Sequence, residues 1–241
     1  MVRIVVFTDT HANLPALQAF RKAAEQDGYD HAFHTGDAID IGPYPAECLD
    51  VLLDLPRTEF VMGNHDAIYV DGVPDPLPCF METNELEHCR WTAAELGETY
   101  REPLSQWPYH LTRTFEEVSV TFVHYGLTDS LDGFVATGKK EPTAADLDSV
   151  FAPFDAQLLF YGHHHPFSDL QGKARYINPG SLGCFYRPLA RYCVLDIDCD
   201  RCRITYKAVP YDDSELIREF DRRQVPARQF ILKEFYGKNI D

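Results

Sequence analysis

The chain has 241 residues, 45% of them hydrophobic and 25% charged, with a formal charge of -16. That length sustains one well-buried domain, and the composition is that of a globular protein rather than a disordered, collagenous or membrane-spanning chain. So acidic a surface repels nucleic-acid phosphates, and no long nucleic acid is expected as a partner. Seven cysteines, odd in number and scattered, do not form the pattern of a secreted disulfide scaffold. No basic and apolar leader stands before the first predicted strand, and no apolar run approaches the roughly 20 residues that span a bilayer. A cytoplasmic protein with no membrane partner is the expectation.

Residues 2–7 are a nearly continuous apolar run, the mark of a strand covered on both faces. Asp9 and His11 follow at its carboxyl end, where open sheets carry their ligand sites. Their spacing of two puts both side chains on one side of an extended segment; the plainer reading is a capping pair at a strand–helix turn. Asn13 reads as a helix cap ahead of Leu14, Leu17 and Phe20. A second strand over 29–35 ends in Gly36-Asp37, with Asp40 three positions on, then a Gly42-Pro43 turn and a helix over 45–53. A short third strand over 59–62 ends in Gly63-Asn64-His65-Asp66. Three successive units of this kind argue for an α/β sheet with helices on its faces.

Between 73 and 108 the alternation breaks. Pro74, Pro76 and Pro78 open the segment, and Leu86, Cys89, Ala93, Leu96 and Tyr100 recur at helical steps, so one or two amphipathic helices are expected, in a position to cap the site. Trp91 and Tyr100 within it are read as core packing rather than as stacking platforms for a base. Strands are predicted over 109–115, 118–123, 157–161, 174–177, 191–197 and 203–209, the first two forming a hairpin around Glu116-Glu117. His124 follows one of these strands, and Gly162-His163-His164-His165 follows another. A mobile loop over 129–141, with Lys139-Lys140 exposed, is expected near His124, and a helix over 212–222. Cys199 and Cys202 have zinc-knuckle spacing without a second pair, and read as a hairpin turn. His31, His34, His88 and His110 fit no ligand spacing and are read as structural or surface residues. Without internal repeats or low-complexity linkers, residues 1–241 read as a single domain.

Asp9-x-His11, Gly36-Asp37-x-x-Asp40, Gly63-Asn64-His65-Asp66, His124 and Gly162-His163-x-His165, in this order, resemble the motifs of the calcineurin-like metallophosphoesterase superfamily. Asn178-Pro179-Gly180-Ser181 is similar to a turn of its small bacterial and archaeal members. A tetrapeptide such as Gly-Asn-His-Asp arises by chance in on the order of one chain in a thousand, and here it is one of five blocks, each at a predicted strand end. The chain departs from the pattern at Tyr125, where many members have glycine, and at Thr8, which replaces a common serine. His164 fills the variable position, and none of the three removes a ligand.

The resemblance implies a four-layer αββα sandwich of two mixed β-sheets flanked by helices, of the α/β (α+β) class, with the helical insertion at about 73–108. It also implies two divalent metal ions on loops at one edge. One ion would be held by Asp9, His11, Asp37 and His165, the other by Asp37, Asn64, His124 and His163, with Asp37 bridging. His65 would stabilise developing charge or protonate the leaving oxygen, and Asp40 would orient its ring. His164 is expected to point away; Asp66 is a helix cap or a partner behind the ligands; Arg187 is a candidate for the substrate phosphate, and equally a solvated arginine. Mixed nitrogen and oxygen donors suit Mn, Fe, Zn, Co or Ni better than magnesium or calcium, with manganese the first expectation. The implied reaction is hydrolysis of a small phosphodiester, nucleotide or dinucleoside polyphosphate by a metal-bridging hydroxide. The alternatives are a serine/threonine protein phosphatase of the same superfamily and a non-catalytic scaffold, the latter disfavoured because all seven ligand positions and His65 are present.

Overall fold

A computed structural model describes residues 1–73, 83–135 and 141–238; Pro74, Pro76, Pro78 and Lys139-Lys140 lie outside these described residues. The chain begins β1 (Val2–Phe7), α1 (Leu14–Asp27), β2 (His31–His34), α2 (Pro45–Leu53), β3 (Thr58–Phe60) and α3 (Asn64–Asp71). As expected, the Asn13 side chain caps α1 by accepting from the Ala16 amide, and proline in the first turn costs no hydrogen bond there. The insertion holds α4 (Thr83–Leu96) and α5 (Arg101–Ser105). After it come β4 (His110–Phe115), β5 (Val118–Val123), α6 (Ala144–Val150), β6 (Leu158–Phe160), β7 (Ser168–Gln171) and β8 (Arg175–Asn178). The long hairpin β9 (Leu189–Asp198) and β10 (Arg201–Pro210), then α7 (Ser214–Arg222) and α8 (Arg228–Tyr236), complete the order.

Among the described residues the strands form two mixed five-stranded sheets, in the orders β10-β9-β1-β2-β3 and β4-β5-β6-β8-β7. Period-two alternation decides what each face meets. In β1, Ile4 and Val6 join Phe33, Val120, Phe122, Phe160, Ile177 and Leu195 in a core between the sheets. Val5 and Phe7 point the other way, into a core with Leu17, Phe20, Leu49 and Leu52 of α1 and α2. On the far side of the second sheet, Val123, Leu159, Tyr161 and Tyr176 pack with Leu147 of α6. The layers are therefore helix, sheet, sheet, helix, as the resemblance implied. No helix among the described residues is long and apolar enough to cross a membrane.

Three elements depart from the expected list. β7 is the edge strand Ser-Asp-Leu-Gln, paired only with β8 and nowhere fully buried, so its sequence carries no apolar run. α6 buries Leu147 in its single apolar contact layer and is fixed instead by a box between Thr143 and Asp146 at its start. α8 buries Ile231, Leu232 and Tyr236, a stripe too short to stand out before folding. Asn64 and His65 also open helix α3 rather than closing a loop.

Across the two sheets Phe33 and Phe122 stack, with ring centroids 3.8 Å apart and planes 3° from parallel. Both rings are fully buried. Phe122→Ala is therefore expected to lower unfolding free energy by about 3–5 kcal/mol, read as a shifted urea midpoint at unchanged slope.

Candidate metal centre

The loops that leave β1, β2, β5 and β6 and the start of α3 meet at one edge of the paired sheets. Backbone bonds knit them: the Asp9 amide donates to Gly36 O, the His11 amide to Asp37 O, the Ala12 amide to Ala38 O, and the Gly162 amide to His124 O, all at 2.9–3.1 Å. The Asn178-Pro179-Gly180-Ser181 turn ties in from below, Ser181 Oγ donating to Asp9 O and Asn178 Nδ2 to Gly162 O. Glycine is required at 63, where a Cβ would collide with the Asp37 amide nitrogen and carboxylate. Asp9, His11, Asp37, Asp40, His163 and His165 all adopt positive φ, between 46° and 71°. Such backbone costs on the order of 1 kcal/mol or more per residue and collects at functional sites; Asp and His tolerate it better than most side chains.

These loops bring the seven predicted ligand residues together in two adjoining groups. In the first, His11 Nε2 lies 3.8 Å from both Asp9 Oδ1 and Asp37 Oδ2, and 2.9 Å from His165 Nε2, which is itself 3.8 Å from Asp9 Oδ1. In the second, His124 Nε2 lies 3.1 Å from both Asp37 Oδ2 and Asn64 Oδ1, and His163 Nδ1 is 2.9 Å from Asn64 Oδ1. Asp37 belongs to both. Its Oδ1 accepts the His65 amide at the start of α3, and Oδ2 faces the imidazoles.

The donor set fits divalent cations. His11 Nδ1 donates to Ile39 O and His124 Nδ1 to Thr35 O, so in each ring Nε2 faces the cluster, with a lone pair in neutral His11 and in His124 once a cation displaces its proton. The His11 and His165 Nε2 atoms lie 2.9 Å apart, close enough for both to reach one cation. Asp9 Oδ2 is buried with no hydrogen-bond partner. Burial drives the His11 imidazole down to about 4, and burial with the neighbouring His124 drives His163 to about 3, so both are neutral donors at pH 7. Burial also lowers His165 and raises the Asp9 carboxyl to about 7. For His124 burial works against the cation, yet the Asp37 carboxylate outweighs it and lifts the imidazole to about 9.

Beside these groups, His65 Nδ1 donates to Asp40 Oδ2 at 2.7 Å, and a ring nitrogen of His65 lies within 4.8 Å of donor atoms of His11 and Asp37. With Nδ1 engaged, Nε2 is the nitrogen left free. Burial opposes both charges, but each stabilises the other: the Asp40 carboxyl is held below its usual range, and the Asp37 and Asp40 charges keep the His65 imidazolium well above 6.5.

Asp66 is a partner behind the ligands. Its Oδ2 accepts the amides of Asp37 and Gly63, and its Oδ1 the amide of Ala38, so one carboxylate fixes two loops. The His164 ring packs on Tyr125 at 4.4 Å, outside either group. Arg187 is exposed on the loop before β9. Trp91 and Tyr100 pack against the helical core, as expected of them. His88, read as structural or surface, is buried with its Nε2 3.4 Å from Asp40 Oδ1. Cys184 and Arg191 had no signal in the sequence. The Cys184 thiol lies within 4.8 Å of donor atoms of His11 and His165. Arg191, half-buried and stacked on Phe185 at 3.9 Å, donates to the carbonyls of His165, Ser181 and Cys184 and so fixes the His165 loop.

Residues 2–200 match the family model of the calcineurin-like phosphoesterase superfamily domain. The chain is 26% identical to an uncharacterized protein of Methanocaldococcus jannaschii, over 92% of its own length and 93% of that protein's. A hypothetical protein of Pyrococcus horikoshii has the same fold, with TM-score 0.80 and 18% identity over 100% of both chains. A metallophosphoesterase of Sphaerobacter thermophilus superposes with TM-score 0.68 and 22% identity, over 94% of this chain and 95% of that one.

Replacing Asp66 by Asn would turn one carboxylate oxygen into a donor facing a donor. Asp66→Asn is expected to cost about 1–3 kcal/mol of stability and to lower the divalent metal retained per chain, measured by denaturant unfolding and atomic emission. Unchanged values in both would show that the loops hold without it.

Proposed function

Because the chain belongs to the calcineurin-like phosphoesterase superfamily, we propose that it is a two-metal enzyme that hydrolyses a small phosphodiester, nucleotide or dinucleoside polyphosphate. The observation that carries this reading is the pair of donor groups sharing Asp37, with the free Nε2 of His65 beside them. Asp9, His11 and His165 would hold one divalent ion, Asn64, His124 and His163 the other, and Asp37 both. Bound there, the ions supply an activated water at neutral pH and offset charge gathering on the phosphoryl oxygens. Manganese is the first candidate for these nitrogen and oxygen donors.

The chain's own residues divide the remaining work. Asp37 keeps the two metal positions at a fixed separation because its backbone is pinned on either side by Asp66 and His11. His65 would hand a proton from Nε2 to the leaving oxygen, while the Asp40 carboxylate keeps Nδ1–H engaged and the ring in place. The charge of -16 favours a small substrate over a long polyanion. Unpaired cysteines at 48, 89, 184, 193, 199 and 202 support a reducing compartment, so we place the enzyme in the cytoplasm, working as a single domain.

Chelator-stripped protein is expected to release p-nitrophenol from bis(p-nitrophenyl) phosphate only after manganese is returned. Release without metal, or none with both positions loaded, would overturn the proposal, and p-nitrophenyl phosphate and a phosphopeptide assayed alongside would expose a monoesterase or protein phosphatase. His65→Ala should keep its metal while turnover of diphenyl phosphate, whose phenolate needs the proton, falls about 100-fold or more. Asp37→Asn should lose both.

A further inference from the structure

The insertion does more than lie beside the site. Three side chains on one face of α4 converge on the Asp40 carboxylate. Thr92 Oγ1 donates to Oδ1 at 2.6 Å, Cys89 Sγ to Oδ2 at 3.2 Å, and His88 Nε2 stands 3.4 Å from Oδ1. Positions 88, 89 and 92 share a helix face because they are separated by three and four residues from the last of them. All three are buried, Thr92 to 2% exposure, where a helix that merely covered the site would present apolar side chains.

The two carboxylate oxygens are not held equivalently. Oδ2 is shared by His65, the ring to be aimed, and by the weak thiol donor of Cys89, so a strong independent anchor against rotation about Cβ–Cγ has to come at Oδ1. Thr92 supplies the hydrogen bond to Oδ1 among the described residues, and that bond fixes the plane of the carboxylate. The plane sets the direction along which His65 Nδ1 donates, and through the rigid ring it sets where Nε2 points.

Resting on the two-metal reading above, we infer that Thr92 is a positioning residue for hydrolysis: from the inserted helix it locks Asp40 and thereby aims His65 at the leaving oxygen. The insertion then completes the proton-donating pair, which the α/β core alone does not finish. Thr92→Val keeps shape and volume close to the original and removes the donor; Thr92→Ser returns it. A misaimed acid matters most when the leaving group is a poor one, because a nitrophenolate departs with little help from a proton and a phenolate needs more.

The test uses the full manganese-loaded chain with bis(p-nitrophenyl) phosphate and diphenyl phosphate. Thr92→Val is expected to bind as much metal as the parent and to lose about tenfold in kcat on diphenyl phosphate, the size of a modest misalignment, with a clearly smaller loss on the nitrophenyl ester. Thr92→Ser should restore the parent ratio of the two rates. Equal losses on both esters, or no loss on either, would overturn the role given to Thr92 while leaving the two-metal reading intact. Should the valine variant not fold, Thr92→Ala, which puts no methyl against the carboxylate, is read by the same ratio. His65→Ala separates the two levels: if its turnover is undiminished, the function assigned to His65 fails and the positioning role falls with it.

Discussion

The whole edge of the molecule is arranged around one buried carboxylate. Asp37 is 1% exposed and sits among imidazoles at 3.1–3.8 Å, a place where an isolated charge would be prohibitively costly. Against that burial the His124, His65 and His11 imidazoles hold its carboxyl well below the usual range, and the amide at the start of α3 donates to Oδ1, with the positive end of that helix behind it. Asp66 fixes its backbone from behind. Oδ2 is thereby left facing both donor groups, which is what a bridging ligand needs.

That arrangement is bought with strained backbone, and the strain has a visible counterweight. Six functional residues adopt left-handed conformations immediately after strands β1 and β2 and near the end of β6. Loops so constrained would relax if the strands could shift, but those strands are anchored on both faces. Ile4, Val6 and Phe33 are locked into the inter-sheet core, and Val5 and Phe7 into the helical one. Burial on both faces of β1 therefore does two jobs: it contributes stability and it transmits rigidity to Asp9 and His11 a few residues on.

The same physics explains what could be read before folding. A strand buried on both faces writes itself into sequence as an apolar run, so β1 and β5 were legible, and residues placed just after such runs were legible as site candidates. The seven candidate ligand residues came together because each stands in a loop just after a strand or, for Asn64, at the helix start that follows one. Thr92, His88 and Arg191 could not be read this way. Each acts across the fold, Thr92 on a residue 52 positions away and Arg191 on carbonyls of three separate residues, and nothing in their own neighbourhoods marks them. His88 looked like any histidine without ligand spacing. β7 was missed for a different reason, since an edge strand with partly buried faces has no need of the pattern that identifies a strand.

The position of α4 also bears on how such a site varies. The ligand loops are held by short-range backbone bonds, so their geometry is a property of the paired sheets. The Asp40–His65 pair is held partly by a segment inserted between α3 and β4. On the proposed two-metal reading, metal binding and proton donation would thus be supported by different parts of the chain. Changes confined to the insertion would then alter the aim of the acid, and with it the preference among leaving groups, without disturbing the metal positions. Changes in the strand-end loops cannot separate the two, because Asp37 joins them: its carboxylate serves the metal groups while its Oδ1 receives the amide of His65 itself.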